Sequence, residues 1–142
     1  MSVAEILAQK GNDVITADSG DTLEAVSIIL AEKKIGAVMV VDKKDDVCGI
    51  CSERDIVRLI AKDGSAALGK KISDCMTKKI ISCEESDTIN QAMEKMTEGR
   101  FRHLPIMKNG KLVGIISIGD VVKRKIEQVE RDAEELKRYI AT

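Results

Sequence analysis

Two segments hold the side chains whose types and spacing could do chemistry: GICSERD, Gly49 to Asp55, and GIISIGD, Gly114 to Asp120. Each places a Ser three positions after a Gly and an Asp three positions after the Ser, where an apolar stretch gives way to a polar one. S-x-x-D at a helix start is the spacing of a capping box, in which the Ser hydroxyl and the acid satisfy otherwise unpaired amides reciprocally. The same arrangement suits a ligand. Amides at a helix N-terminus attract phosphate, the Ser adds a hydroxyl, and a carboxylate can accept both hydroxyls of a ribose. Local capping alone gives no reason for a Gly at the same place ahead of both copies, so a shared function is the reading to test.

Other reactive side chains are sparse. His103 is the sole histidine, and without a second ligand at metal spacing it points to neither a metal site nor a general base. Cys48-Gly-Ile-Cys51 has the form of a redox or zinc C-x-x-C. Residues three apart on a strand point to opposite faces, and these two align with Val113 and Ile116 of the second copy, which are packing positions. Cys75 and Cys83 align with Ile6 and Ala17. No catalytic constellation emerges, and no enzyme activity is expected.

The elements that must position the two motifs form a duplicated unit. Aligning Val14 onward with Ile80 onward, at an offset of 66, places Asp21-Thr22 on Asp87-Thr88 and Val38 to Val41 on Leu104 to Met107. The offset becomes 65 at Gly49 and Gly114, which locates one extra residue in the turn Asp42 to Asp46. A lead-in also repeats, Val3 to Leu7 against Ile72 to Met76. Each copy predicts strand, helix, strand, strand, helix. The first strands are Val14 to Ala17 and Ile80 to Cys83. Asp-Thr then caps a helix whose apolar face is Leu23, Val26, Ile29 and Leu30, or Ile89, Ala92, Met93 and Met96. Two hairpins follow, Val38 to Val41 with Val47 to Cys51, and Leu104 to Met107 with Leu112 to Ile116. Pro105 inside a strand implies an edge or strand-start position.

A three-stranded half cannot cover both faces of its own sheet. The expected class is therefore mixed α/β (α+β): two β-α-β-β-α repeats related by a pseudo-twofold axis and packed through their sheets, with a C-terminal helical extension. The boundaries are residues 3–62 and 72–125 for the repeats and 126–142 for the extension.

Bulk properties narrow the function. A chain of 142 residues can bury roughly 68% of its unfolded surface and needs no disulfide staples. Phe101 and Tyr139 are the only aromatics, so there is no platform for stacking single-stranded bases. With 23 basic and 24 acidic residues, the balance does not suit a surface built to neutralise nucleic-acid phosphates. No apolar run reaches the ~18 residues of a membrane span, and the N-terminus lacks signal-peptide features, so the expected compartment is the cytoplasm.

Taken together, the two G-x-x-S-x-x-D segments, the Asp-Thr pairs, the linker ISDCMTKKIISC and the strand start RFRHLPI resemble the tandem cystathionine-beta-synthase (CBS) domain pair, or Bateman module. The resemblance spans about Val3 to Lys125. It implies an adenine-nucleotide sensor for AMP, ATP or NAD(H) that changes conformation or assembly on binding and acts on an unidentified regulated protein. Carried over residue by residue, one site would combine Ser52, Arg54 and Asp55 with Thr77, Ile80, Arg102 and His103. A second would combine Ser117 and Asp120 with Ile15, Thr16, Gly36 and Ala37. Arg54, Arg102 and His103 supply phosphate donors to the first, and Gly36 and Ala37 replace two of them at the second. The alternatives are a structural dimeriser with empty clefts and a zinc or redox protein.

Beyond Asp120, Val122, Ile126, Val129, Ala133, Leu136 and Ile140 recur at steps of 4, 3, 4, 3 and 4, a heptad seam. Glu127, Arg131, Glu134 and Lys137 are expected to supply charges at its edges. The seam implies contact with a second copy through this helix, and with the resemblance it implies a homodimer or higher homo-oligomer formed through the CBS faces and this helix.

Overall fold

The computed structural model describes residues 1–141. They fall into two compact units, residues 14–80 and residues 1–13 with 81–141. The division does not follow the sequence repeats. The lead-in of each repeat belongs to the unit that holds the hairpin of the other, so residues 1–13 fold with 81–141 and residues 72–80 with the first hairpin.

In the first unit, β1 (Thr16–Asp18) pairs in parallel with β2 (Ala37–Val41), which pairs antiparallel with β3 (Val47–Ser52). The crossover is α2 (Leu23–Lys33), and α3 (Glu53–Asp63) leaves β3. Short 3-10 turns at Gly64–Gly69 and Ile72–Asp74 carry the chain back. Thr22 caps α2 through its hydroxyl, which accepts from the Ala25 amide at 3.2 Å. Asp21 accepts from the Asp18 amide instead. Between β2 and β3 the Asp42 carboxylate accepts from the Lys44 and Asp46 amides, which organises the longer of the two hairpin turns. The core is Ala17, Leu23, Val26, Leu30, Val38, Val40, Cys51, Ile56 and Ile72.

In the second unit, α1 (Val3–Lys10) packs with α4 (Ile89–Gly99), the hairpin β4 (His103–Lys108) and β5 (Lys111–Ser117), and α5 (Ile118–Ala141). Thr88 caps α4, and Gln91 completes the box. The β4–β5 turn places Asn109 at φ 52° and Gly110 at φ 77°, the left-handed pair that a two-residue hairpin requires. Val3, Ile6, Leu7, Ile89, Met96, Leu104, Ile106, Ile116 and Val121 form its core.

One expected strand is missing. Ile80 to Cys83 is reduced to a single parallel bridge, Cys83 to Ile106. Pro105 aligns with Met39, the β2 residue opposite Thr16 of β1. Its carbonyl accepts from the Cys83 amide at 3.0 Å, so its ring nitrogen lies on the same side of β4 and has no hydrogen to extend the ladder.

Candidate functional site

Ser52 ends β3 and caps α3. Its hydroxyl accepts from the Asp55 amide at 3.3 Å, and Asp55 Oδ2 accepts from the Ser52 amide at 2.9 Å and from the Ser52 hydroxyl at 3.2 Å. Ala37 lies opposite Ser52 in the β2–β3 register, and the Gly36 carbonyl accepts from the Glu53 amide at 3.0 Å. Thr77 exchanges two backbone hydrogen bonds with Ile50, at 2.8 and 3.0 Å. The capping box is thus complete, and it engages one carboxylate oxygen of Asp55. Oδ1 and the Arg54 amide at the helix tip lie outside it.

The second copy repeats this arrangement with one addition. Asp120 Oδ2 accepts from the Ser117 amide at 2.8 Å, and the Ser117 hydroxyl accepts from the Asp120 amide at 3.2 Å. His103 lies opposite Ser117, and the Arg102 carbonyl accepts from the Ile118 amide at 2.8 Å. The addition is Lys10, at the end of α1, whose ammonium lies 2.6 Å from Asp120 Oδ2. Burial opposes ionisation of Asp120, but the bonds from Lys10 and from Ser117 outweigh it and hold its carboxyl below the ordinary range. Lys10 was not among the residues singled out from the sequence. It is 110 positions away from its partner, and only the packing of α1 into this unit brings the two together.

The CBS-domain family's sequence model matches residues 3–62 and 72–127, one match per repeat. This chain belongs to the CBS-domain family. A CBS-domain protein of Agrobacterium tumefaciens has a similar structure, with a TM-score of 0.86, 45% identity, and coverage of 87% of this chain and 92% of that one. An uncharacterized protein of Methanopyrus kandleri is 32% identical over 98% of this chain and 70% of its own length. A CBS domain protein of Pyrobaculum aerophilum, solved in complex with AMP, superposes with a TM-score of 0.75 at 26% identity, over 84% of this chain and 89% of that one.

Of the residues expected at CBS ligand sites, Ser52, Arg54, Asp55, Thr77 and Ile80 lie in the first unit, with Ile15, Thr16, Gly36 and Ala37. Arg102, His103, Ser117 and Asp120 lie in the second. Within a unit, Ser52 is brought to Gly36 and Ala37, and Ser117 to Arg102 and His103. Arg54, Thr77 and Arg102 are exposed, and His103 and Ile80 are half-buried.

The structure gives the paired glycines of the CBS motifs a reason that the sequence did not. A Cβ on Gly114 would stand 2.6 Å from Leu7 Cδ2, and one on Gly49 would strike the Met76 side chain and approach the Thr77 carbonyl at 3.1 Å. Leu7 and Met76 hold equivalent places in the two lead-ins. Each glycine is a notch for the lead-in it receives, so its recurrence is explained by packing and is no longer an argument for a ligand.

The cysteines behave as packing residues. Burial pushes the Cys48, Cys51 and Cys75 thiols up, and Cys83 up to about 11, the opposite of what a nucleophile or metal ligand needs. No group of three or more candidate metal ligands occurs among the described residues. Among them, too, no helix is long and apolar enough to cross a membrane.

Proposed function

We propose that this CBS pair is a regulatory sensor of an adenine nucleotide, AMP, ATP or NAD(H), and not a catalyst. The observation that carries the reading is the twin Ser/Asp arrangement at the starts of α3 and α5, where the cap uses Oδ2 and a ribose hydroxyl can address the remaining oxygen. The AMP complex of the Pyrobaculum aerophilum relative supports the ligand class. The proposed contacts are Ser52, Arg54, Asp55, Thr77, Ile80, Ile15, Thr16, Gly36 and Ala37 from the first unit, and Ser117, Asp120, Arg102 and His103 from the second. Arg54, Arg102 and His103 favour phosphorylated ligands over a neutral nucleoside.

Binding regulates by favouring one of two arrangements of the chain or its assembly, which requires a ligand that binds them with different affinity. The assembly is a homo-oligomer, and its target is a separate regulated protein. Native mass spectrometry of the purified protein, followed by calorimetry with AMP, ATP, NAD(H) and S-adenosylmethionine, tests the ligand. Absence of binding by all of them, in the parent as in Asp55→Ala, defeats the proposal. A second reading, a structural dimeriser with empty clefts, has one observation in its favour: both Ser/Asp pairs are engaged in local helix caps.

A further inference from the structure

The C-terminal helix is anchored on one side and bare on the other. Val121 and Arg124 are buried, and Arg124 donates to the Glu5 carbonyl at 3.4 Å and to Glu127 at 3.0 Å, which fixes the rotation of α5 about its axis. With that face turned inward, Val122, Ile126, Val129, Leu136 and Ile140 are 40, 53, 56, 59 and 74% exposed. The heptad seam therefore faces away from its own unit along about 27 Å of helix, first turn included.

We infer that this face pairs with the same face of a second copy as a parallel, in-register two-stranded coiled coil. The inference rests on the reading above that the protein assembles with itself, and it adds the orientation. The flanking charges decide it. With Ile126, Ala133 and Ile140 at a and Val122, Val129 and Leu136 at d, the g positions carry Lys125 and Asp132 and the e positions Lys123, Glu130 and Lys137. Of the four charges expected at the edges, only Lys137 is there. Glu127 turns to Arg124, and Glu134 lies 3.7 Å from Lys137 on the same helix.

A parallel pair brings each g residue to the e residue five positions on in the partner. That sets Lys125, whose ammonium also donates to Asn90 of its own chain at 3.2 Å, against Glu130, and Asp132 against Lys137, both opposite in sign, and all six seam layers are buried. The antiparallel register that also buries all six opposes Lys123 to Lys137, Glu130 to Glu130 and Asp132 to Asp132, all like charges. Sliding that pair by one heptad towards the C-terminal end opposes Glu130 to Lys137 but leaves Val122 and Ile126 without seam partners among the described residues. Sliding it by one heptad towards the helix start restores opposite charges, Lys123 to Glu130 and Lys125 to Asp132. It also sets Leu136 on Gly119 and carries Ile140 past the helix start to the level of Ile115, a β5 residue.

Sedimentation equilibrium of the full chain tests this with Leu136→Asp, Lys137→Glu and the double variant Asp132→Lys with Lys137→Glu. The expected results are loss of association for Leu136→Asp, about tenfold weaker association for Lys137→Glu from two inverted pairs per dimer, and recovery to within about twofold of the parent in the double variant. Tighter association of Lys137→Glu overturns the parallel orientation in favour of the full antiparallel register. No change in Lys137→Glu, or no recovery in the double variant, overturns the Asp132–Lys137 pairing. Unchanged association of Leu136→Asp overturns the interface itself. AMP calorimetry on the same proteins reads the ligand proposal separately, since none of these residues belongs to the Ser/Asp motifs.

Discussion

Replacing Lys10 with Met keeps most of the aliphatic stem and removes the ammonium that stands 2.6 Å from Asp120 Oδ2. A hydrogen bond between charged groups contributes about 1.5–3 kcal/mol when shielded. The two side chains are 36 and 27% exposed, so solvent screening brings the expected loss down to about 1 kcal/mol. For a protein of this size that corresponds to roughly 3–4 °C in Tm. The sign of the pH dependence follows from Asp120, whose carboxyl is held below its ordinary 3.8 in the folded chain. Such a group contributes stability that is fully present above 3.8 and is lost as pH falls through the folded value. Thermal melts of parent and variant should therefore differ at pH 7 and converge in strongly acidic buffer. A gap of the same size at both would mean that Lys10 acts through the packing of α1, and no gap at neutral pH would mean that the ion pair contributes nothing. The replacement also bears on binding. A neutral ribose has to share Asp120 with Lys10, so Lys10→Met should bind adenosine severalfold more tightly while gaining less for AMP, whose phosphate can use the ammonium. Weaker adenosine binding would contradict the competition.

Asp55→Ala should weaken adenine-nucleotide binding by about 1.5–3 kcal/mol and lower stability by about 1 kcal/mol through loss of the α3 cap; calorimetry and melts read the two effects separately. Arg102→Ala should reduce affinity for AMP more than for adenosine, and equal losses would show that it acts on folding or the ribose. Gly114→Ala should destabilise by about 1–3 kcal/mol because its methyl meets Leu7, and a compensating Leu7→Ala should recover part of that in urea titrations.

Much of this architecture was legible because it is written locally and twice. The α2 and α4 caps at Thr22 and Thr88, the two hairpins and the apolar faces each depend on residues within a few positions of one another, and the second copy corroborates the first. What escaped depended on distant partners. Gly49 and Gly114 read as a functional signature because Met76 and Leu7, which they accommodate, belong to other segments. Lys10 gave no signal, since an exposed lysine at a helix end is common. The expected strand at Ile80 to Cys83 failed for a reason that was visible, Pro105, but its consequence for the neighbouring segment needed the pairing direction. The seam was apparent from its spacing, and its edge charges follow from the same register, whereas its outward orientation required the rotation of α5 fixed by Arg124. The Ser/Asp motifs read alike at both levels, because the geometry that caps a helix is also the geometry that can receive a ribose.

The exchange of lead-ins makes the chain a host with a guest inside it. Residues 14–80 are one uninterrupted segment, and the host is assembled from what precedes and follows them. Fraying at the N-terminus is therefore felt not by its sequence neighbour but by residues a hundred positions on. As α1 peels away, Leu7 leaves the Gly114 notch, Lys10 leaves Asp120, and Arg124 loses the Glu5 carbonyl. Hydrogen exchange should report α1 and the first turns of α5 opening as one cooperative unit. A bulky fusion placed ahead of Val3 would accordingly perturb the second Ser/Asp motif and the root of the C-terminal helix before it disturbed the first motif.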